Sequence, residues 1–161
     1  MAIFVTKCGE RWHTQTILKE SNHAIQKAVN ELVDKRLGRR KSTALLRRII
    51  RIEASRRLVE LFKSSIPQNP GEVDVRPIVS FYESLRDSTE GRLDELRLRK
   101  HSDSVSPEPN DLIILAECVE LNHAQDLSLV SGDGHFVSFK QEIFDKFGVE
   151  VLDFYDIRKF V

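Results

Sequence analysis

Two carboxylates stand where an α/β chain gathers its chemistry. Asp133 follows the apolar run Leu127 to Ser131, and Asp111 lies in the first turn of a helix opened by Pro109 and Asn110. In open α/β sheets the strand carboxyl ends and the helix starts share one edge, and functional groups collect there. A fold of that kind brings both acids to one rim, where they can hold a metal ion. Each acid also has a local explanation. Asp111 interacts favourably with the positive end of a helix dipole, and Asp133, between Gly132 and Gly134, suits a tight turn. Their positions alone leave the metal site and the two local roles open.

The second chemical feature is charge. From Lys35 to Arg57 the chain carries ten Lys or Arg against the single acid Glu53, a net +9, so the remainder carries −9. Arg39, Arg40 and Lys41 cluster with Lys35 and Arg36, and Arg47, Arg48 and Arg51 continue the cluster along one helix face. Such a surface neutralises backbone phosphates and steers RNA, although a solvated helix face has the same composition. No aromatic side chain interleaves with these residues, so base stacking has no support there. A helix-turn-helix on residues 39–57 is disfavoured, because no turn chemistry precedes Ser42.

The elements that must position these groups follow from periodicity. Ala24, Ile25, Ala28, Val29, Leu32 and Val33 recur at helical spacing and predict a helix over 22–36, capped by Asn22 and stopped by Gly38. A second helix starts near Ser42, with Leu45, Leu46, Ile49 and Ile50 inward and a basic outer face. Past Ile52 its apolar set swings to Ala54, Leu58, Leu61 and Phe62, so this helix is sandwiched or interrupted near Ser55. Residues 66–76 and 100–110 read as loops. Pro77 opens a helix with Ile78, Val79, Phe81, Tyr82 and Leu85 inward, and Pro109 to Asn122 is a strongly apolar helix. The strand DLSLVSGDG, the helix FVSFKQEIFDKFG closed by Gly148, and the strand VEVLD then alternate, which predicts a parallel sheet covered by helices in a single domain spanning 1–161. Phe139, Ile143, Phe144 and Phe147 are expected in the core and Trp12 as a packing anchor.

Composition excludes several classes. With 161 residues, 40% hydrophobic and 31% charged, the chain is long enough for a substantial core and is not a disordered segment. No apolar run approaches the ~20 residues of a membrane span, and MAIFVTKCGERW lacks the apolar stretch of a secretion signal. Cys8 and Cys118 make no disulfide framework, which points to reduced thiols and a cytoplasmic location. Cys8, His13 and His23 lack a zinc spacing, and His135 either touches a phosphate or fills a helix start.

Three short words in order carry a resemblance. PNDLIILAECVELN, then DLSLVSGDGHFVSF, then GVEVLDFYDI, resembles the C-terminal half of a PIN domain, the fold of metal-dependent nucleases that include toxin ribonucleases. Ser131-Gly132-Asp133-Gly134-His135-Phe136 matches the family's Thr/Ser-x-Asp-x-x-Phe word, and Asp111 matches the Asp that opens the family's helix. Upstream, Thr16-Ile17-Leu18-Lys19-Glu20 is similar to the segment bearing a further acid. The resemblance covers about 60 residues at the C-terminal end and about 20 at the start, leaving the middle helices unaligned.

The resemblance implies a three-layer fold with a parallel sheet flanked by helices. It also implies an endoribonuclease in which Glu20, Asp111 and Asp133 bind Mg²⁺ or Mn²⁺ and serve catalysis. Hard divalent ions take oxygen ligands, polarise the phosphoryl oxygen and lower the pKa of the attacking water. Arg39, Arg40, Lys41, Arg47, Arg48 and Arg51 would hold RNA. A homodimer and a protein partner such as an antitoxin are further expectations.

One position departs from the family. Its pattern puts an Asp directly after the first apolar strand, but Thr6 follows Ala2-Ile3-Phe4-Val5, and thirteen residues separate Thr6 from Glu20. Either a strand and helix lie upstream of Met1, or the site has lost a ligand. The rival reading is a non-catalytic PIN-like module that binds RNA or protein.

Overall fold

The computed structural model describes residues 2–37, 43–88 and 107–153. A short connection sets the direction of the sheet. Strands β1 (Ala2–Thr6) and β2 (Arg11–His13) are joined by Lys7 to Glu10. The Gly9 N–H donates to Thr6 O at 2.8 Å and the Thr6 N–H to Glu10 O at 2.9 Å. Gly9 takes φ +82°, a conformation a side chain would strain. Four residues can join only antiparallel neighbours, because a parallel pair needs a crossover of a dozen residues or more.

The remaining strands are β3 (Ser65–Pro67), β4 (Leu127–Ser131) and β5 (Glu150–Asp153), and the order across the sheet is β3-β2-β1-β4-β5. β2 pairs with β3 and β4 with β5 in parallel, while β1 runs against both of its neighbours. The expected all-parallel sheet is therefore corrected to a mixed one. The parallel prediction holds for β4 and β5, where α/β alternation was the signal, and fails where the hairpin reverses the chain. Among the described residues β1 is an interior strand, paired on both sides. Phe4 pairs with Trp12 on one side and with Leu129 on the other.

The strand that feeds the first helix is β2, not β1. Helix α1 (Gln15–Leu37) begins seven residues before the expected cap at Asn22. Thr14 starts it instead, accepting the Leu18 N–H on its carbonyl at 3.1 Å and the Ile17 N–H on its hydroxyl at 3.4 Å. Asn22 lies inside the helix, and its amide donates to Leu18 O at 3.0 Å. Helix α2 (Thr43–Lys63) is continuous through Ser55 and packs along α1. Its outer face is not purely basic, since Leu45 and Ile49, expected inward, are exposed.

The loop expected over 66–76 begins with β3, and helix α3 (Arg76–Ser88) follows it. Helix α4 (Pro109–Asn122) has its expected bounds. The single helix expected after Asp133 is two, α5 (Gly134–Val137) and α6 (Lys140–Phe147), with Gly148 at φ +68° closing the second. The loop at 100–110 lies largely outside the described residues.

The core joins the sheet to α1, α3, α4, α5 and α6 through Phe4, Ile17, Ile78, Leu115, Leu129, Phe136, Phe139 and Ile143, all nearly inaccessible. Trp12 is buried as expected, whereas Phe144 is 51% exposed and stands outside the core. Among the described residues no helix is long and apolar enough to cross a membrane.

His13 is buried at the end of β2, with its ring edge-on to Phe62 at 5.0 Å. The Ser65 hydroxyl donates to Phe62 O at 2.8 Å, so at its 2.8 Å contact with His13 it must accept, which assigns the proton to Nδ1. Burial lowers the His13 pKa below its ordinary value. The unfolded chain therefore takes up this proton first as pH falls, and stability declines as pH drops through 6.5, the ordinary value. In His13→Gln the pH slope of the urea midpoint over this window should shrink, even though absolute stability falls. Leu129→Ala should cost about 2–5 kcal/mol in urea unfolding and Phe144→Ala less than about 1 kcal/mol, because only the first opens a cavity.

Candidate metal centre

Both acids keep the local roles their sequence positions imply. Asp111 is the third residue of α4, and its Oδ2 accepts the Glu108 backbone N–H at 3.2 Å. Pro109 occupies the first turn, where a missing N–H costs nothing. Asp133 caps α5, its Oδ1 accepting the His135 N–H at 2.8 Å, while its own N–H donates to Ser131 Oγ at 3.0 Å. These bonds fix the carboxylates in place and also turn them toward each other.

The third member of the group is His135. Its ring is buried, and Nδ1 lies 3.1 Å from Asp133 Oδ1 and 4.0 Å from Asp111 Oδ2. One ligand atom from each of Asp111, Asp133 and His135 lies within 4.8 Å of the others. With bonds of about 2.1 Å, ligands of an octahedral ion stand roughly 3 Å apart when adjacent and roughly 4.2 Å when opposite. The three side chains fit one divalent ion after small rotations.

The surroundings concentrate negative charge. The Asp111 and Asp133 side chains are only 13% and 25% exposed, so their repulsion is weakly screened. Tyr82 reports the field. Its hydroxyl donates to His135 O at 3.0 Å, and its pKa is pushed far up, first by burial and then by the carboxylates of Asp111 and Asp133.

Glu20 is placed nearby but outside this group. The Asn110 amide donates to Glu20 Oε2 at 2.8 Å, which sets Glu20 beside the residue preceding Asp111. Among the described residues the convergent set is Asp111, Asp133 and His135. The strand that feeds α1 is β2, and the residue directly after it is Thr14, so the position at which the resemblance expects an Asp, read at Thr6 in the sequence, is also held by a Thr here. Asp153 ends β5 opposite Ser131, a further acid at the same sheet edge.

Of the six basic residues expected to hold RNA, Arg48 and Arg51 are exposed on α2. Arg39, Arg40 and Lys41 lie outside the described residues, as does the side chain of Arg47.

Sequence reasoning missed Glu117. It is buried within α4, where its carboxylate accepts the Thr14 hydroxyl at 2.6 Å and the Thr16 hydroxyl at 2.7 Å. One acid inside the otherwise apolar run Ile114 to Cys118 was the available signal. With Thr16 against Glu117 and Glu20 beside Asn110, α1 and α4 run antiparallel, and this clamp sets the approach of α1 to the acidic edge.

Comparison of the chain with protein-family models, curated proteins and solved structures finds no match.

Millimolar Mn²⁺ should raise the melting temperature by mass action, by the equivalent of about 2.7 kcal/mol when the ion is at a hundred times its Kd. Asp133→Asn retains the helix cap yet should lose the rise, and His135→Gln should reduce it. An equal rise in Asp133→Asn would place the ion elsewhere.

Proposed function

We propose that the protein is a divalent-metal-dependent endoribonuclease with a PIN-like three-layer arrangement. The observation that carries this reading is the convergence of Asp111, Asp133 and His135 at the carboxyl edge of the sheet. Mn²⁺ suits the set better than Mg²⁺, because an imidazole nitrogen accompanies the carboxylate oxygens. A bound ion would supply polarisation of the phosphoryl oxygen and a lowered pKa for the attacking water.

The chain's own groups do the positioning. Asp111 is held by the Glu108 N–H and Asp133 by the His135 N–H, so both present carboxylate oxygens at fixed angles. Tyr82 anchors the His135 backbone from below. Glu20, held by the Asn110 amide beside Asp111, would be the acid that orients a water or a ribose hydroxyl. RNA is the substrate that the PIN resemblance of the three sequence words favours.

Two observations favour the non-catalytic alternative. Glu20 is outside the convergent set, and a Thr occupies the end of the strand that feeds α1.

A labelled single-stranded RNA incubated with the chain and Mn²⁺ should be cut, with loss of cutting in EDTA. Asp111→Asn and Asp133→Asn should each lower the rate by about a hundredfold or more, a barrier increase of about 2.7 kcal/mol. RNA that is bound but left uncut in Mn²⁺ would favour the binding module. Cutting that survives both substitutions would overturn the proposed site.

A further inference from the structure

Among the described residues most of the exposed large hydrophobic side chains lie on one helix. Leu45, Ile49, Ile52 and Val59 of α2 are 65%, 54%, 60% and 55% exposed. Their spacing of four, three and seven residues, with Arg56 completing the four-three alternation, draws one stripe along the helix, as in the seam of a coiled coil. The stripe runs about 21 Å at 1.5 Å per residue. Leu46 and Ile50, each about 100° around the helix from its exposed neighbour, are half-buried, so the stripe is a second apolar face rather than the edge of the first.

The charges around the stripe select what can cover it. Residues 43–63 contain six Lys or Arg and two Glu, a net +4. The two acids are already engaged. Glu53 accepts from Arg56 at 3.0 Å and from Arg57 at 3.1 Å, and Glu60 accepts from Arg56 at 2.8 Å. Arg48 and Arg51 remain exposed beside Leu45, Ile49 and Ile52. A second copy would set +4 against +4, and like charges across an interface are costly. Nucleic acid matches the charge but not the surface, because phosphates against Leu, Ile and Val bury no apolar area and the aromatic ring of α2, Phe62, is buried against His13 and cannot stack on a base. An apolar stripe rimmed by cations is matched by an amphipathic helix rimmed by acids.

We propose that α2 is a docking face for an acidic amphipathic helix of another protein, whose apolar residues cover Leu45, Ile49, Ile52 and Val59 and whose Asp or Glu side chains meet Arg48 and Arg51. This assignment is independent of whether the acidic edge cleaves RNA.

The probe is a synthetic peptide of about 20 residues with heptad Leu at the seam and Glu on its flanks, matched by a peptide with Lys in place of Glu. Titrated into the intact chain, the acidic peptide should bind about tenfold or more tighter than the basic one. Ile49→Gln with Ile52→Gln should weaken it by about tenfold or more while leaving the urea midpoint unchanged, since Gln is a good helix former at exposed positions. Arg48→Glu with Arg51→Glu should reverse the preference, which tests the assignment without touching the apolar residues. Binding of neither peptide, or of both equally, overturns the proposal. Sedimentation showing a dimer that dissociates in the Ile variant would replace the acidic helix with a second copy. RNA affinity that drops with the Ile variant would assign the face to nucleic acid.

Discussion

The sheet depends on the antiparallel ladder between β1 and β4. Its five pairs, from Ala2 opposite Ser131 to Thr6 opposite Leu127, set the register of the strand that ends just before Asp133. A slip of one residue would exchange Phe4 with Ile3 and Leu129 with Val130 between two buried faces, so close packing of differently shaped side chains on both sides enforces the alignment. β1 is also the reason that β2 and β4 point the same way. Both oppose β1, and so their carboxyl ends share one edge. A single reversed strand thus aligns the end of β2, from which α1 departs, with the end of β4, where Asp133 stands.

At that edge the acids combine two duties that favour each other. A capping carboxylate is held by backbone N–H groups and cannot rotate away from its neighbour. Capping therefore concentrates charge that an uncapped pair would disperse by side-chain motion. Tyr82 and His135 close the site with buried polar groups, so the cost of bringing Asp111 near Asp133 is borne in a poorly screened environment. Glu117 makes a separate, wholly structural use of a buried carboxylate, satisfied by two hydroxyl donors from the start of α1.

The C-terminal third was the legible part of the chain. Short apolar runs there are bounded by Pro109, Gly134 and Gly148, whose backbone preferences mark the ends of elements, and so α4 and β4 have the expected bounds and β5 starts one residue late. The site acids at Asp111 and Asp133 were legible for the same reason. His135 was weighed as a phosphate contact or a helix-start residue and not as a ligand, since a lone imidazole carries no spacing signal until the turn folds it back onto Asp133. The N-terminal half was harder. Thr14 caps α1, and the apolar pair Ile17-Leu18 in its first turns is followed by the polar run Lys19 to His23, so apolar periodicity became visible only from Ala24. On α2 the adjacent pairs Leu45-Leu46 and Ile49-Ile50 read as one arc, but neighbours on a helix diverge by about 100°, and the structure splits each pair between two faces.

The ladder between β1 and β4 also joins the first strand to one more than 120 residues later. During synthesis the β1–β2 hairpin emerges first, yet neither β1's outer edge nor the buried side of Phe4 can be covered until residues 127–131 have left the ribosome. Closing so long a loop costs entropy that only the completed core returns. Until then β1 is an exposed edge able to pair with other chains. The long helices α1 and α2, whose backbone hydrogen bonds span only four residues each, can form in the interval. The order of assembly is thus imposed by the same strand that orients the finished sheet, with a helical hairpin first and the acidic edge last.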